Sequence, residues 1–249
     1  MAEEKSISSE KRFHYDMLKN DESKVVDKLN LNLGFFSFRK KSKFKAVEVV
    51  YDTPDNLLSS AGIVLSKQFE ANKTYFKVRK ISKVRSDIAK KSQKFEIAKC
   101  NAKQNPKDLA IQVATAINNY FSNIFTIDLS DVVKNTIPKI EITIKGNLYE
   151  VIGGTGFKGT VLFEKVTYKD LITHKKVKRS GFTFSCPNDN NHEKEVEEIL
   201  KGIERHCKEL IPYNESRFEI AQRILHPSGT RIGIKNLKDN EKANKEEVD

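Results

Sequence analysis

The sequence predicts an α+β chain of antiparallel strands flanked by helices, on three observations. Two segments of strand length alternate charged and apolar residues. Tyr75, Lys77 and Arg79 oppose Phe76 and Val78, and Lys139, Glu141, Thr143 and Lys145 oppose Ile140, Ile142 and Ile144. This is the period of two of an extended chain. A glycine-rich run from Gly154 to Gly159 joins two further strand-like stretches, 148–152 and 160–168, as a hairpin does. Two segments, 108–125 and 192–210, carry apolar residues at helical spacing. With 249 residues and 38% hydrophobic content, the chain is long enough for one principal domain, expected over residues 1–228.

In chain order, Ile7 to His14 forms a strand. A helix follows, opened by Asp21 or Ser23, with Val25, Val26 and Leu29 on one face and Gly34 at its end. The basic residues Arg39, Lys40, Lys41, Lys43 and Lys45 then crowd a lysine-rich loop, and the phenylalanines Phe35, Phe36, Phe38 and Phe44 interleave with them. From Ala46 to Asp52 the chain resumes as a strand, and residues 51–69 read as strand, turn at Pro54, one helical turn and second strand. The helical segment 106–126 starts at Pro106 and buries Leu109, Val113, Ala116, Ile117 and Tyr120. The later helix buries Val196, Ile199, Leu200, Ile203 and Cys207 and is closed by Pro212. Residues 229–249 lose the apolar pattern in a mixed-charge run and are expected to be a flexible tail.

Forty-five basic against 34 acidic residues give a net charge of +11 and a pI near 9.4. The implied partner is anionic: nucleotide, polyphosphate, nucleic acid or a membrane surface. Three cysteines make no even framework and fit a reducing compartment. No apolar run of membrane-spanning length and no hydrophobic leader are visible, so a cytoplasmic location is expected. Cys186, His192, His206 and Cys207 have a spacing that matches no common structural zinc site. Gly154-Thr155-Gly156-Phe157-Lys158-Gly159 satisfies G-x-G-x-x-G, but it stands between two strands, with no helix to supply aligned amides to a pyrophosphate.

Tyr51-Asp52-Thr53-Pro54, with Leu58, Gly62 and Leu65, resembles the YDTPxxxLxxxGxxL signature of the CYTH family, the triphosphate tunnel proteins. Members of that family run adenylate cyclase, thiamine triphosphatase and inorganic triphosphatase chemistry in a polar β-tunnel. Without this resemblance, the alternating strands fit an ordinary sandwich with its charged faces in solvent. With it, they imply an antiparallel β-barrel, polar inside, with flanking helices outside. Residues 160–168 and 212–221 are similar to later family segments, with Arg217 in place of a lysine.

The resemblance also implies roles. The family's E-x-E-x-K strand corresponds to Ser8-Ser9-Glu10-Lys11-Arg12, which keeps one carboxylate and a cation. Ser66 and Gln68 stand where the family offers two arginines, and Gly181, Thr183 and Ser185 stand where it offers alternating glutamates. The implied phosphate-binding residues are Arg12, Lys77, Arg79, Lys139, Lys145 and Arg217. The implied catalytic acids are Glu10, Glu141 and Glu164, with Glu10 and Glu141 as ligands to magnesium or manganese in an active enzyme. Because cations survive better than acids, the expected function is binding of a triphosphate, nucleotide or polyphosphate with weak or no hydrolysis. One alternative is an active metal-dependent triphosphatase. The other is an RNA-binding or scaffold protein that uses the basic Phe35–Lys45 stretch.

Overall fold

The structure is a computed structural model, and it describes residues 10–19, 21–60, 62–70, 73–80, 100–101, 115, 134–188 and 191–226. Its elements are β1 (Glu10–Met17), α1 (Glu22–Asn32), β2 (Phe36–Asp52), α2 (Leu57–Ser60), β3 (Ile63–Glu70), β4 (Lys73–Lys80), β5 (Cys100–Asn101), β6 (Ile137–Gly153), β7 (Lys158–Asp170), β8 (Lys176–Pro187), α3 (Glu193–His206), β9 (Leu210–Tyr213) and α4 (Arg217–Leu225). The strands pair in the order β5-β4-β3-β2-β6-β7-β8-β1-β9. The β1–β8, β1–β9, β2–β3, β3–β4 and β4–β5 pairs are antiparallel. The expected α+β architecture of antiparallel strands with helices is the one observed. No helix among the described residues is long and apolar enough to cross a membrane.

The expected helix 108–125 and the tail 229–249 lie outside the described residues. Two boundaries differ from expectation. Arg39 to Lys45 is not a loop but the middle of β2, a single strand of 17 residues. Lysine has poor strand propensity, but the stretch is carried in a long strand that lies beside β6 and, from Ala46 onward, also pairs with β3, and this context overrides it. Helix α3 stops at His206, where the Cys207 N–H bonds back to Ile203 O, because Leu210 is taken into strand pairing opposite Met17.

The chain packs as two compact units, Met1–Lys45 with Thr143–Thr167 and Lys178–Glu215, and Ala46–Ile142 with Tyr168–Val177 and Ser216–Asp249. The first unit has its own apolar core. Tyr15 and Met17 of β1, Phe36 and Phe38 of β2, Tyr149 and Val151 of β6, Val161 and Phe163 of β7, and Phe182 and Phe184 of β8 all point to it. Val25 and Leu29 of α1 and Ile199 and Ile203 of α3 complete it. Burying each such side chain stabilises by about 1.5–3 kcal/mol. Phe163 meets Phe182 edge-on at 5.1 Å and Tyr149 at 5.4 Å. Cys186 and Cys207 are buried free thiols in this core, and burial pushes the Cys207 thiol up to about 11. Helix α1 is capped by Asp21, whose side chain accepts from Lys24 N, and Tyr149 donates its hydroxyl to Glu22 at 2.6 Å. Burial, then the Glu22 carboxylate, pushes that phenol up to about 12. A side chain at Gly202 would run into Leu33, so glycine is what permits this approach.

In the second unit, β2, β3 and β4 pair so that Val50 faces Ser66 and Ser66 faces Lys77. The turn after β2 is organised by Asp52. Its Oδ1 accepts from Thr53 N at 2.8 Å and Leu58 N at 2.9 Å, and its Oδ2 accepts from Ser59 N at 3.0 Å. Thr53 Oγ1 accepts from Leu57 N at 2.9 Å. Helix α4 starts with a capping box, in which the Ser216 side chain accepts from Glu219 N while the Glu219 carboxylate accepts from Ser216 N. Lys175 donates to Leu225 O at the far end of the helix. Ser216→Ala is expected to cost about 1 kcal/mol. It should appear as a lower denaturant midpoint at unchanged slope, and an unchanged midpoint would show that the cap contributes nothing.

Candidate functional site

The sheet face opposite the first unit's core is polar. Because Tyr15 and Met17 of β1 point into the core, alternation turns Glu10, Arg12, His14 and Asp16 the other way. Register then sets their neighbours. His14 stands opposite Thr183 of β8 and Tyr213 of β9, Asp16 opposite Gly181, and Arg12 opposite Ser185. His14 Nδ1 lies 3.0 Å from Thr183 Oγ1, and the Thr183 hydroxyl donates to Glu164 Oε1 of β7 at 3.3 Å. A Thr183 hydroxyl that donates to Glu164 can still accept from a protonated Nδ1 of His14, so the three groups can form one chain. Glu164 is only 2% exposed, and a carboxylate in such a place needs donors of this kind.

The His14 ring stacks on Tyr213 with centroids 5.7 Å apart. Arg179 of β8 pairs with Asp16 and lays its guanidinium over the Tyr213 ring at 5.8 Å. Its second terminal nitrogen, Nη1, is buried and has no hydrogen-bond acceptor among the described residues. Arg12 reaches back to Glu10 with Nη2 at 2.9 Å and Nε at 3.3 Å, an exposed pair.

The same face continues onto β2. Phe36 and Phe38 lie in the core, so alternation puts Ser37, Arg39, Lys41, Lys43 and Lys45 on the polar side. Lys41 lies 3.5 Å from Glu150 of β6. Arg39, Lys43 and Lys45 are exposed and make no ion pair among the described residues. Neighbouring cations in such a row stand about 6.6 Å apart, and each adjacent pair repels by about 0.6 kcal/mol in bulk water. The cations of the row stand out in the sequence but are expected there as a loop, and the group of His14, Asp16, Arg179 and Tyr213 is not among the expected site residues. The signal was nevertheless there, since both β1 and the Arg39–Lys45 stretch repeat charge at every second residue.

Of the residues expected from the sequence, Glu10, Arg12 and Glu164 share this polar face. Lys145 does not, because Asn147, two residues on, donates to Glu22 of α1 on the helix side. The rest belong to the second unit. Lys77 is half-buried on β4 opposite Ser66, and Arg79 stands opposite Val64 in the same register. Lys139 donates to Pro54 O at 2.9 Å and so ties β6 to the turn. Glu141 is half-buried between Ile140 and Ile142, and Arg217 opens α4 directly after the Ser216 cap.

A divalent cation such as magnesium or manganese asks for several converging oxygen donors. On the polar face, Glu10 is engaged by Arg12 and Glu164 by Thr183. Among the described residues, no group of three or more His, Cys, Asp or Glu side chains is arranged to hold a metal ion. These donors do not fit a magnesium or manganese site.

No family model matches the chain, and no curated protein matches it in sequence. Solved structures align with it along most of its length. One is HpAC1 from Hippeastrum, described as an adenylyl cyclase candidate with a dominant triphosphatase activity. It aligns with a TM-score of 0.51 at 10% identity, over 86% of this chain and 95% of that one. PH1819 from Pyrococcus horikoshii OT3 aligns with a TM-score of 0.47 at 13% identity, over 87% of this chain and 99% of that one. The chain therefore has the CYTH-like fold, the α+β antiparallel architecture of the triphosphate tunnel proteins.

Proposed function

We propose that this protein binds a triphosphate, nucleotide or polyphosphate anion on the polar face of its first unit, with weak or no phosphohydrolase activity. The observation that carries this reading is Arg179. Asp16 and Tyr213 hold its guanidinium in place, yet its buried Nη1 has no acceptor among the described residues. A buried donor left unmet costs roughly 1–3 kcal/mol, which an anionic oxygen would recover in a charge-assisted bond. Arg12 adds a second guanidinium on the same face, and a guanidinium fork suits a phosphoryl group better than an ammonium does. The triphosphatase activity described for HpAC1 supports the ligand class. The weak turnover follows from the acids, since Glu10 and Glu164 are already engaged within the protein.

Calorimetry with tripolyphosphate, with and without magnesium, tests both halves. Binding is expected without the metal, and it should weaken as salt rises. No heat at millimolar tripolyphosphate would end the reading. Phosphate release above a protein-free blank that disappears in Glu10→Gln or Glu141→Gln would replace it with the active triphosphatase.

A further inference from the structure

We infer that the cation row on β2 makes the preferred ligand a linear phosphate chain of more than three phosphoryl groups. This inference deepens the anion-binding reading above and rests on it. Arg39, Lys41, Lys43 and Lys45 occupy alternate positions of one uninterrupted strand, so the row extends about 20 Å, with rungs about 6.6 Å apart. A triphosphate reaches little beyond one pair of neighbouring rungs. A longer chain of repeating negative charge meets all of them in turn. Three of the four rungs, Arg39, Lys43 and Lys45, spend their charge on no carboxylate among the described residues, while Lys41 shares Glu150.

A nucleic acid would also present a row of phosphates, but single-strand binders interleave flat aromatic faces with their cations so that bases can stack. Here the phenylalanines of the same stretch are placed otherwise. Phe36 and Phe38 are in the core, and Phe44, half-buried, falls at an even position, off the side of the cations. Phe35 is exposed, but it precedes β2; from Arg39 to Lys45 the cations' side of the strand carries no aromatic ring, which fits a bare phosphate chain.

The test uses the full chain at fixed ionic strength, titrated with tripolyphosphate, with a polyphosphate of several tens of units, and with an oligonucleotide of comparable charge. After correction for the number of overlapping sites, the long polyphosphate is expected to bind at least about tenfold more tightly than tripolyphosphate. The triple variant Arg39→Gln, Lys43→Gln, Lys45→Gln should bring the long chain down to the tripolyphosphate level and flatten its salt dependence. These three side chains are exposed, and a melting curve confirms that the variant is folded. Equal affinity for short and long phosphate chains would overturn this inference and leave the anion-binding reading standing, and so would a triple variant that binds like the parent. An oligonucleotide bound as tightly as polyphosphate would overturn it in favour of nucleic acid. No binding of any phosphate chain would remove the parent reading and this inference together.

Discussion

Asp52→Ala is expected to lower stability by about 3 kcal/mol, measured as a drop in the urea midpoint. The carboxylate accepts three backbone N–H groups within eight residues, from Thr53, Leu58 and Ser59. A hydrogen bond to a charged group contributes roughly 1.5–3 kcal/mol, and an unmet buried donor costs about as much. The three are not additive, because they hold one turn. Asp52 itself is 5% exposed and Leu58 2%, so water replaces little of what is lost. The turn also contains two residues in the left-handed region, Asn56 at φ 63° and Gly62 at φ 73°, and the carboxylate helps to hold the first of them. Asp52→Asn keeps one acceptor oxygen and should fall between wild type and alanine. A wild-type midpoint for the alanine variant would show that the turn is held by other contacts.

This placement explains why residues 51–65 announce the fold so well and the chemistry so poorly. Tyr51-Asp52-Thr53-Pro54 is a device for reversing the chain between β2 and β3, built from a carboxylate, a hydroxyl and a glycine whose partners are all local. Local partners leave a spacing in the sequence. The polar face of the first unit is different. Glu164 and Thr183 meet across 19 positions, His14 and Thr183 across 169, and only the β7–β8 and β1–β8 pairings bring them together. Period-two alternation was readable in Lys139 to Lys145, but β6 runs on to Gly153, and no pattern in the segment itself says which face a helix will cover. Asn147 and Tyr149 bonding to Glu22 settle that for the first unit's half of the strand. The β2 cations are legible as a basic stretch but not as a strand face, because low strand propensity suggests a loop there although Arg39, Lys41, Lys43 and Lys45 fall at every second position.

Arg179→Gln is expected to weaken tripolyphosphate binding roughly thirtyfold, about 2 kcal/mol, the scale of one charge-assisted hydrogen bond. The substitution also frees Asp16, whose charge would then repel the ligand, so the single variant overstates the arginine's own contact. Asp16→Asn with Arg179→Gln removes both charges at once, and its loss relative to Asp16→Asn alone isolates the guanidinium. Arg179→Lys keeps a cation over Tyr213 but has no second nitrogen to offer where Nη1 now lies buried. If the buried nitrogen is the contact, lysine recovers less than half of the lost free energy. If charge alone attracts the ligand, lysine restores it almost fully and the salt dependence stays as in the parent. An Arg179→Gln protein that is folded and binds tripolyphosphate like wild type would take the site off this face altogether, because the one observation that distinguishes a built anion site from a merely basic surface would then have no consequence for binding.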